Sequence, residues 1–334
     1  MTHPVSSHHH TRDGDRAPVA VVIDAGYDQH TIEEDILKPY GFRVIERACH
    51  GDAAAVVEAV READAVLVRE SPVTANAIDE MKHCRVIVRY GVGVDNIHRR
   101  RAAERGIYVA NVPDYGVEEV SDHTLALLLS VLRRTAARDR AVREGMWNVA
   151  RREPMHRIAG RTLGIIGYGR IGAAFHRKVS TLGFSETRVH DANGGVLPYG
   201  AVAADLDELI ARSDVISLHL PLRPSTEKMI SRERIAAMQP GTVIVNTSRG
   251  GLIDEESLVE ALQSGHLGGA GLDVFADEPP APDHPLLSTP NTVLSDHTAW
   301  YSEESVAELQ TKAAQEVARV FAGEAPKHWV NRWD

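Results

Sequence analysis

Three polar side chains stand just after short apolar runs, and their types suit the handling of a small organic acid. Arg249 follows TVIVNTS (242–248), at what would be the carboxyl edge of a parallel sheet, where α/β proteins bind ligands. A guanidinium there can clamp a carboxylate through two parallel hydrogen bonds; the alternative is a surface salt bridge. His297 follows TVLSD (292–296), and an imidazole titrating near neutrality is a natural proton donor to a ketone oxygen that receives hydride. Glu278 lies in the Pro-rich stretch DEPPAP (277–282), where it either pairs with His297 and favours the imidazolium or is a solvated loop acid.

A second group of residues points to a dinucleotide. Gly167, Tyr168, Gly169, Arg170, Ile171 and Gly172 spell GxGxxG directly after the run TLGIIG and at the start of a helical pattern, Ile171 to Leu182. The first glycine allows the tight turn, the second lets a pyrophosphate reach the backbone at the helix N-terminus, and the third lets helix and strand pack closely. Asp191 ends the next apolar run about 20 residues on, where a carboxylate accepts hydrogen bonds from ribose hydroxyls and repels a 2′-phosphate. NAD is therefore favoured over NADP. Glycines at a strand–helix turn can also serve packing alone. Gly91-Val92-Gly93 lacks the third glycine and reads as a tight turn, with a turn facing a substrate as the other reading.

These positions need a scaffold of parallel strands. Runs apolar on both faces recur at VAVVID (19–24), FRVIE (42–46), AVLVR (65–69), VIVRYG (86–91) and YVAN (108–111), with helical patterns between them such as Ala53 to Glu62 and Ile97 to Arg105, the latter closed by Gly106. One long helical pattern runs from about Val117 to Glu144. A second series follows: TLGIIG (162–167), TRVHD (187–191), DVISLHL (214–220), TVIVNTS (242–248), AGLDVF (270–275) and TVLSD (292–296). Asp205 with Glu208 makes an acidic capping-box pattern, Asp254 to Gly265 runs from an N-cap to a C-terminal glycine, and Glu303 to Phe321 closes the chain as a helix. No repeat of 20–50 residues is present, so the sequence predicts two wound α/β domains rather than a solenoid.

Composition excludes several other classes. The 334 residues, 43% hydrophobic and 25% charged, suit a globular protein of about two domains. A net charge of −10 leaves no electrostatic footprint for nucleic acid or an anionic membrane, and no apolar run is long enough to cross a bilayer. Cys49 and Cys84 are the only cysteines, which predicts two free thiols in a reducing cytoplasm. Residues 1–16 are polar, include His8, His9 and His10, lack the apolar core of a secretory signal, and read as a loose tail. No His, Asp or Glu cluster has metal-ligand spacing, so no metal is expected; His123, His176 and His219 read as structural. Arg89, Arg99, Arg100 and Arg101 can recognise a phosphate or phosphonate tail, although a solvated helix face explains the last three equally well.

From about Val19 to Asn331 the chain resembles the D-isomer-specific 2-hydroxyacid dehydrogenase family. The resemblance rests on VRYGVGVDNI (88–97), NVPDYGVEEVSDHTLALLL (111–129), GRTLGIIGYGRIG (160–172), VNTSRGGLIDEESLVEAL (245–262), GAGLDVFADEPP (269–280) and SDHTAWYSEES (295–305). It implies an NAD-dependent oxidoreductase that interconverts a 2-oxo acid and a D-2-hydroxy acid. Arg249 would hold the substrate carboxylate, Glu278 would tune the acid–base residue, and His297 would transfer the proton. The implied fold is a Rossmann NAD-binding domain (117–298) inserted into a flavodoxin-like substrate domain (17–116 and 299–334), with the active site in the cleft and hinge closure expelling water. Asp273 would bind the nicotinamide amide, and Thr124, Pro221, Thr226, Thr247 and Ser248 would line the cofactor beside Arg249 and His297. The backbone of Val92 and Gly93 would help hold the substrate.

Asp114-Tyr115-Gly116 and His297-Thr298-Ala299-Trp300-Tyr301-Ser302 are most similar to the branch that contains the C-terminal-binding proteins and many bacterial enzymes. There the tryptophan can line the substrate pocket, so Trp300 is either a pocket residue or an aromatic anchor for the closing helix. Because that branch includes NAD-sensing corepressors that keep the same three polar residues, an NAD-responsive protein-binding module with little turnover stands as the alternative to a metabolic dehydrogenase. Phosphoglycerate-type chemistry is also open. The family further implies a cytoplasmic homodimer formed through the nucleotide domain, with the helix from Val117 in the contact.

Overall fold

The computed structural model describes residues 16–333 apart from 28, 148–153, 193, 195–196 and 199; all but the last residue of the N-terminal tail, and its three histidines, lie outside the described residues. The chain divides into two compact units, one made of the segment up to Pro113 together with Ala307 onward, the other of Asp114–Val306.

The first unit alternates β1 (Val19–Ile23), α1 (Thr31–Leu37), β2 (Arg43–Arg47), α2 (Ala53–Val60), β3 (Ala65–Val68), α3 (Ala75–Glu80), β4 (Val86–Arg89), α4 (Arg99–Glu104) and β5 (Tyr108–Ala110). The strands are all parallel in the order β2-β1-β3-β4-β5, the flavodoxin-like order. β1 and β3 are buried along their whole length, which is why they read as unbroken apolar runs, whereas the edge strand β2 exposes Arg43, Glu46 and Arg47. The other edge is closed by the C-terminal segment. Trp329 bridges Ala110 in antiparallel sense, and the buried Asn331 accepts from the Val109 N–H at 2.7 Å and donates to the Ile107 carbonyl at 2.9 Å.

The second unit begins with α5 (Val117–Arg133) and α6 (Thr135–Arg143), then runs β6 (Thr162–Ile166), α7 (Arg170–Val179), β7 (Glu186–His190), β8 (Ala201–Ala203), α8 (Leu206–Arg212), β9 (Val215–Leu218), α9 (Arg232–Ala237), β10 (Val243–Asn246), α10 (Glu255–Gln263), β11 (Gly269–Leu272), β12 (Thr292–Leu294) and α11 (Glu303–Phe321), whose later turns belong to the first unit. Its seven parallel strands lie in the order β12-β11-β10-β9-β6-β7-β8, so the order reverses at β6, as in a Rossmann sheet. Tyr115 and Gly116 pack on Trp300, and the Ser302 hydroxyl donates to Glu119 at 2.8 Å, which places residues 114–116 and 299–306 with this unit.

Two local expectations change, and one strand is added. The pattern from Val117 to Glu144 is two helices, because Arg134 adopts φ 51° and caps α5 by donating to the Ser130 and Val131 carbonyls. The break falls where the buried stripe Leu127, Leu128, Val131 and Leu132 ends and a polar face begins. The capping box at Asp205 is half made: Asp205 accepts from the Asp207 N–H at 2.9 Å, while Glu208 pairs with Arg188 at 2.9 Å. β8 is a short, largely exposed edge strand of the sequence AVA, too brief to show a pattern.

Candidate active site

Strands β10, β11 and β12 are neighbours and parallel, so the residues that follow each of them gather at one edge of the second unit's sheet. Arg249 lies three residues beyond β10. The fully buried Asn246 shapes that turn: its Oδ1 accepts from the Ser248 N–H at 3.0 Å and its Nδ2 donates to the Arg249 carbonyl at 2.8 Å. Gly250 has to be glycine, since a Cβ there would lie 1.9 Å from the Phe275 carbonyl carbon. Arg249 is half-buried, and its Nη1 donates to the Ser248 carbonyl at 2.7 Å.

His297 and Glu278 meet with Nδ1 and Oε2 2.6 Å apart. The second carboxylate oxygen, Oε1, accepts from the Phe275 N–H at 3.0 Å. Burial opposes ionisation of Glu278. The hydrogen bond and charge of His297, the Phe275 N–H and the nearby charge of Arg249 outweigh it and hold the carboxyl below its ordinary value. The loop carrying Glu278 is fastened by Glu255, which accepts from the Ala276 N–H at 3.1 Å and pairs with His284 at 3.2 Å. Trp300 donates from Nε1 to the His297 carbonyl at 2.9 Å and lies 6.2 Å from the Tyr115 ring, contacts that suit an anchor of the turn.

The glycine loop joins β6 to α7. Gly167 has φ 91°, and a Cβ there would lie 2.4 Å from the His219 carbonyl oxygen; one on Gly172 would lie 2.3 Å from the Gly167 oxygen. These two glycines serve close packing. Gly169 differs: no atom lies within 4 Å of its would-be Cβ, and as N-cap of α7 it offers no side-chain acceptor to the first N–H groups. Open space before uncapped donors at a helix N-terminus fits a pyrophosphate. Arg170 and Ile171 open α7 behind it. Asp191 follows β7 and accepts from the Tyr168 N–H at 2.6 Å, which ties the glycine loop to the end of that strand. The Tyr168 hydroxyl is bonded to His176 Nδ1 at 2.7 Å.

Other residues expected to line the cofactor occupy the same unit. The Thr124 hydroxyl donates to the Val120 carbonyl at 2.6 Å and so accepts from Thr247, 2.8 Å away. Ser248 donates to the Leu218 carbonyl at 2.8 Å. Pro221 and Thr226 share one turn after β9, the Thr226 hydroxyl donating to the Pro221 carbonyl at 2.8 Å. Asp273 is fully buried and accepts from the Ser295 hydroxyl at 2.7 Å and from the Thr298 and Ala299 N–H groups, each at 3.0 Å. Its carboxylate thus grips the His297 turn, a role no sequence pattern announces. The supports Asn246, Glu255, His284 and Ser295 are equally illegible in the sequence, because their partners are set by strand adjacency rather than spacing.

In the first unit, Gly91-Val92-Gly93 is a turn after β4 in which Gly91 has φ 134°, Val92 is 42% exposed and the Val92 carbonyl accepts from Asn111 at 2.6 Å. Arg89 folds over Gly91. Arg100 and Arg101 pair with Glu104 at 3.0 Å, and Arg101 also with Asp79, as surface ion pairs of α4. Among the described residues no helix is long and apolar enough to cross a membrane.

Residues 125–299 match the model of the D-isomer-specific 2-hydroxyacid dehydrogenase NAD-binding domain. A glyoxylate reductase of Korarchaeum cryptofilum is 38% identical over 286 residues, 83% of this chain and 85% of that one. A D-3-phosphoglycerate dehydrogenase of Methanocaldococcus jannaschii is 36% identical over 285 residues; 83% of this chain is matched, but only 53% of that protein's length. The solved structure of a protein from Thermus thermophilus superposes with a TM-score of 0.84 at 35% identity, covering 93% of this chain and 99% of the other. With its two parallel sheets and glycine loop, the chain belongs to the D-isomer-specific 2-hydroxyacid dehydrogenases and is an NAD-dependent oxidoreductase acting on CH–OH groups.

Proposed function

We propose that the enzyme reduces a small 2-oxo acid to the D-2-hydroxy acid, with His297 as the acid–base residue and Arg249 as the carboxylate clamp. The observation that carries this reading is the 2.6 Å contact between His297 Nδ1 and Glu278 Oε2. A carboxylate accepts only, so Nδ1 bears the proton of that bond, and Nε2 is left for the reacting oxygen. Bound NADH supplies the hydride to C2. Arg249 anchors and orients the substrate carboxylate, and His297 delivers a proton from Nε2 to the oxygen as charge develops on it. Glu278 stabilises the charged ring and fixes its orientation. In the oxidative direction the same nitrogen takes the hydroxyl proton. The open face of Gly169 and the helix N-terminus behind it would hold the pyrophosphate, and Asp191 the ribose hydroxyls.

One feature of the first unit supports a substrate class. Arg89, the last residue of β4, folds over Gly91 next to the Val92 and Gly93 turn, whereas Arg69, just past β3, lies over Gly26 and pairs with Glu70 at 2.9 Å. The Arg89 cation beside that turn supports a 2-oxo acid with a second anionic group, in keeping with the similarity to a phosphoglycerate dehydrogenase. A homodimer working in the cytoplasm completes the reading. The apolar Val142, Met146 and Trp147 left exposed beyond α5, Trp147 at 76%, support the dimer.

The deciding experiment follows NADH and NADPH oxidation with glyoxylate, pyruvate, hydroxypyruvate, phosphohydroxypyruvate, phosphonopyruvate and 4-methylthio-2-oxobutyrate. Turnover with NADH, fastest on the doubly anionic acids, is the expected result. Tight NADH binding without turnover on any of them would sink the enzyme reading in favour of an NAD-responsive binding protein.

A further inference from the structure

His297 has φ 58°, a left-handed conformation that brings a Cβ against its own backbone and persists only where the surroundings impose it. The restraints can be traced. The His297 N–H donates to the Asp273 carbonyl at 2.8 Å, and the next two N–H groups, of Thr298 and Ala299, converge on the Asp273 carboxylate at 3.0 Å each. One residue at the end of β11 therefore holds the turn by three bonds, and it is fully buried.

Asp273 is held in turn. Ser295 donates its only hydroxyl proton to Asp273 Oδ1 at 2.7 Å. The same hydroxyl oxygen lies 2.8 Å from His123 Nε2, on α5. With the serine proton committed to a carboxylate, the imidazole has to be the donor, so His123 presents Nε2–H. The result is a continuous line of directed hydrogen bonds from α5 through Ser295 and Asp273 to the backbone beside His297. Bonds to a buried carboxylate are strong and directional, and each fixes the orientation of the next.

We infer that His123 and Ser295 are positioning residues for the acid–base His297, acting through Asp273. The inference rests on the role given to His297 above. His123 and Ser295 touch the reacting groups only through this line, so their removal displaces the proton donor and leaves the cofactor loop and Arg249 in place. A proton donor displaced by a fraction of an ångström lowers kcat while ground-state binding survives.

The test compares Ser295→Ala and His123→Leu, which delete the hydroxyl and the Nε2 donor, with Ser295→Thr and His123→Gln, which keep them. Amide exchange of residues 297–299, kcat and KM for the best 2-oxo acid, and NADH affinity are measured in each. In the two deletions, exchange at Thr298 and Ala299 should quicken about tenfold or more as the turn opens locally. There kcat should fall about tenfold, with KM and NADH affinity within about twofold. The threonine and glutamine variants should restore both readouts. Exchange and kcat at the parent level in the deletions would overturn the inference, and so would losses that neither conservative variant repairs. A parent enzyme that reduces no 2-oxo acid would count against the role of His297, and the exchange measurement would then decide the hydrogen-bonded line by itself.

Discussion

The Nδ1 atom of His297 lies 2.6 Å from Oε2 of Glu278, across 19 positions of sequence. Glu278 reaches it from a loop held by the Phe275 N–H on its own Oε1 and by Glu255, which accepts from the Ala276 N–H before it and pairs with His284 after it. His297 reaches it from a left-handed turn at the end of β12. Neither side chain is free to choose its partner, which is what a proton-transfer group requires.

Replacing His297 with Asn separates chemistry from backbone geometry, because asparagine tolerates the left-handed conformation that the position demands. Turnover should fall about a hundredfold to ten-thousandfold, the usual range for a lost general acid. NADH affinity, read by fluorescence titration, should stay within about twofold of the parent. Glu278→Gln should lower turnover less, since the ring keeps a hydrogen-bond partner.

Arg249→Ala removes the clamp and leaves the His297–Glu278 contact. Its main effect should be on the 2-oxo acid: KM rises about tenfold or more, the loss of a bidentate charged contact. A variant with unchanged KM would remove Arg249 from substrate binding.

The glycine loop makes a paired prediction. Gly169→Ala adds a methyl to open space, so the melting temperature should hold while NADH affinity drops about tenfold or more as the pyrophosphate's place is filled. Gly172→Ala drives a Cβ to 2.3 Å from the Gly167 oxygen and should destabilise the fold by about 1–3 kcal/mol. Differential scanning fluorimetry with and without NADH distinguishes the two.

His219 sets a pH dependence. Burial pushes its pKa down from 6.5 to about 3; Nδ1 is buried without a hydrogen-bond partner, and Nε2 is bonded to Ser217 at 2.9 Å. The folded protein keeps this ring neutral while the unfolded chain protonates it below its ordinary value. Stability should therefore be lost as pH falls from about 6.5 towards 3 and be unaffected by this group above that window. In His219→Leu the acid-side fall in melting temperature should be shallower, by about 3 °C per pH unit.

Asn331 tests the edge of the first sheet. Asn331→Ala leaves the Val109 N–H and the Ile107 carbonyl without their partner, and a loss of about 1–3 kcal/mol is expected by denaturant titration.

By itself the sequence determined the elements with the strongest local codes. Buried parallel strands read as apolar runs because both faces are covered, and the glycine loop was legible because its three glycines answer to a turn, an approach and a packing contact within six residues. The family strings pointed to Arg249, Glu278 and His297 without showing what supports them. Only the tertiary structure decided the rest. The helix break at Arg134 depends on where the buried stripe of α5 runs out, and β8 exists because β7 offers it an edge. The Asp273 carboxylate accepts from the Thr298 and Ala299 backbone and from the Ser295 hydroxyl, and His123 bonds that hydroxyl from 172 residues away in sequence. Such contacts are made by the order of strands in the sheet, and that order is set by burial and register, which no local spacing along the chain encodes.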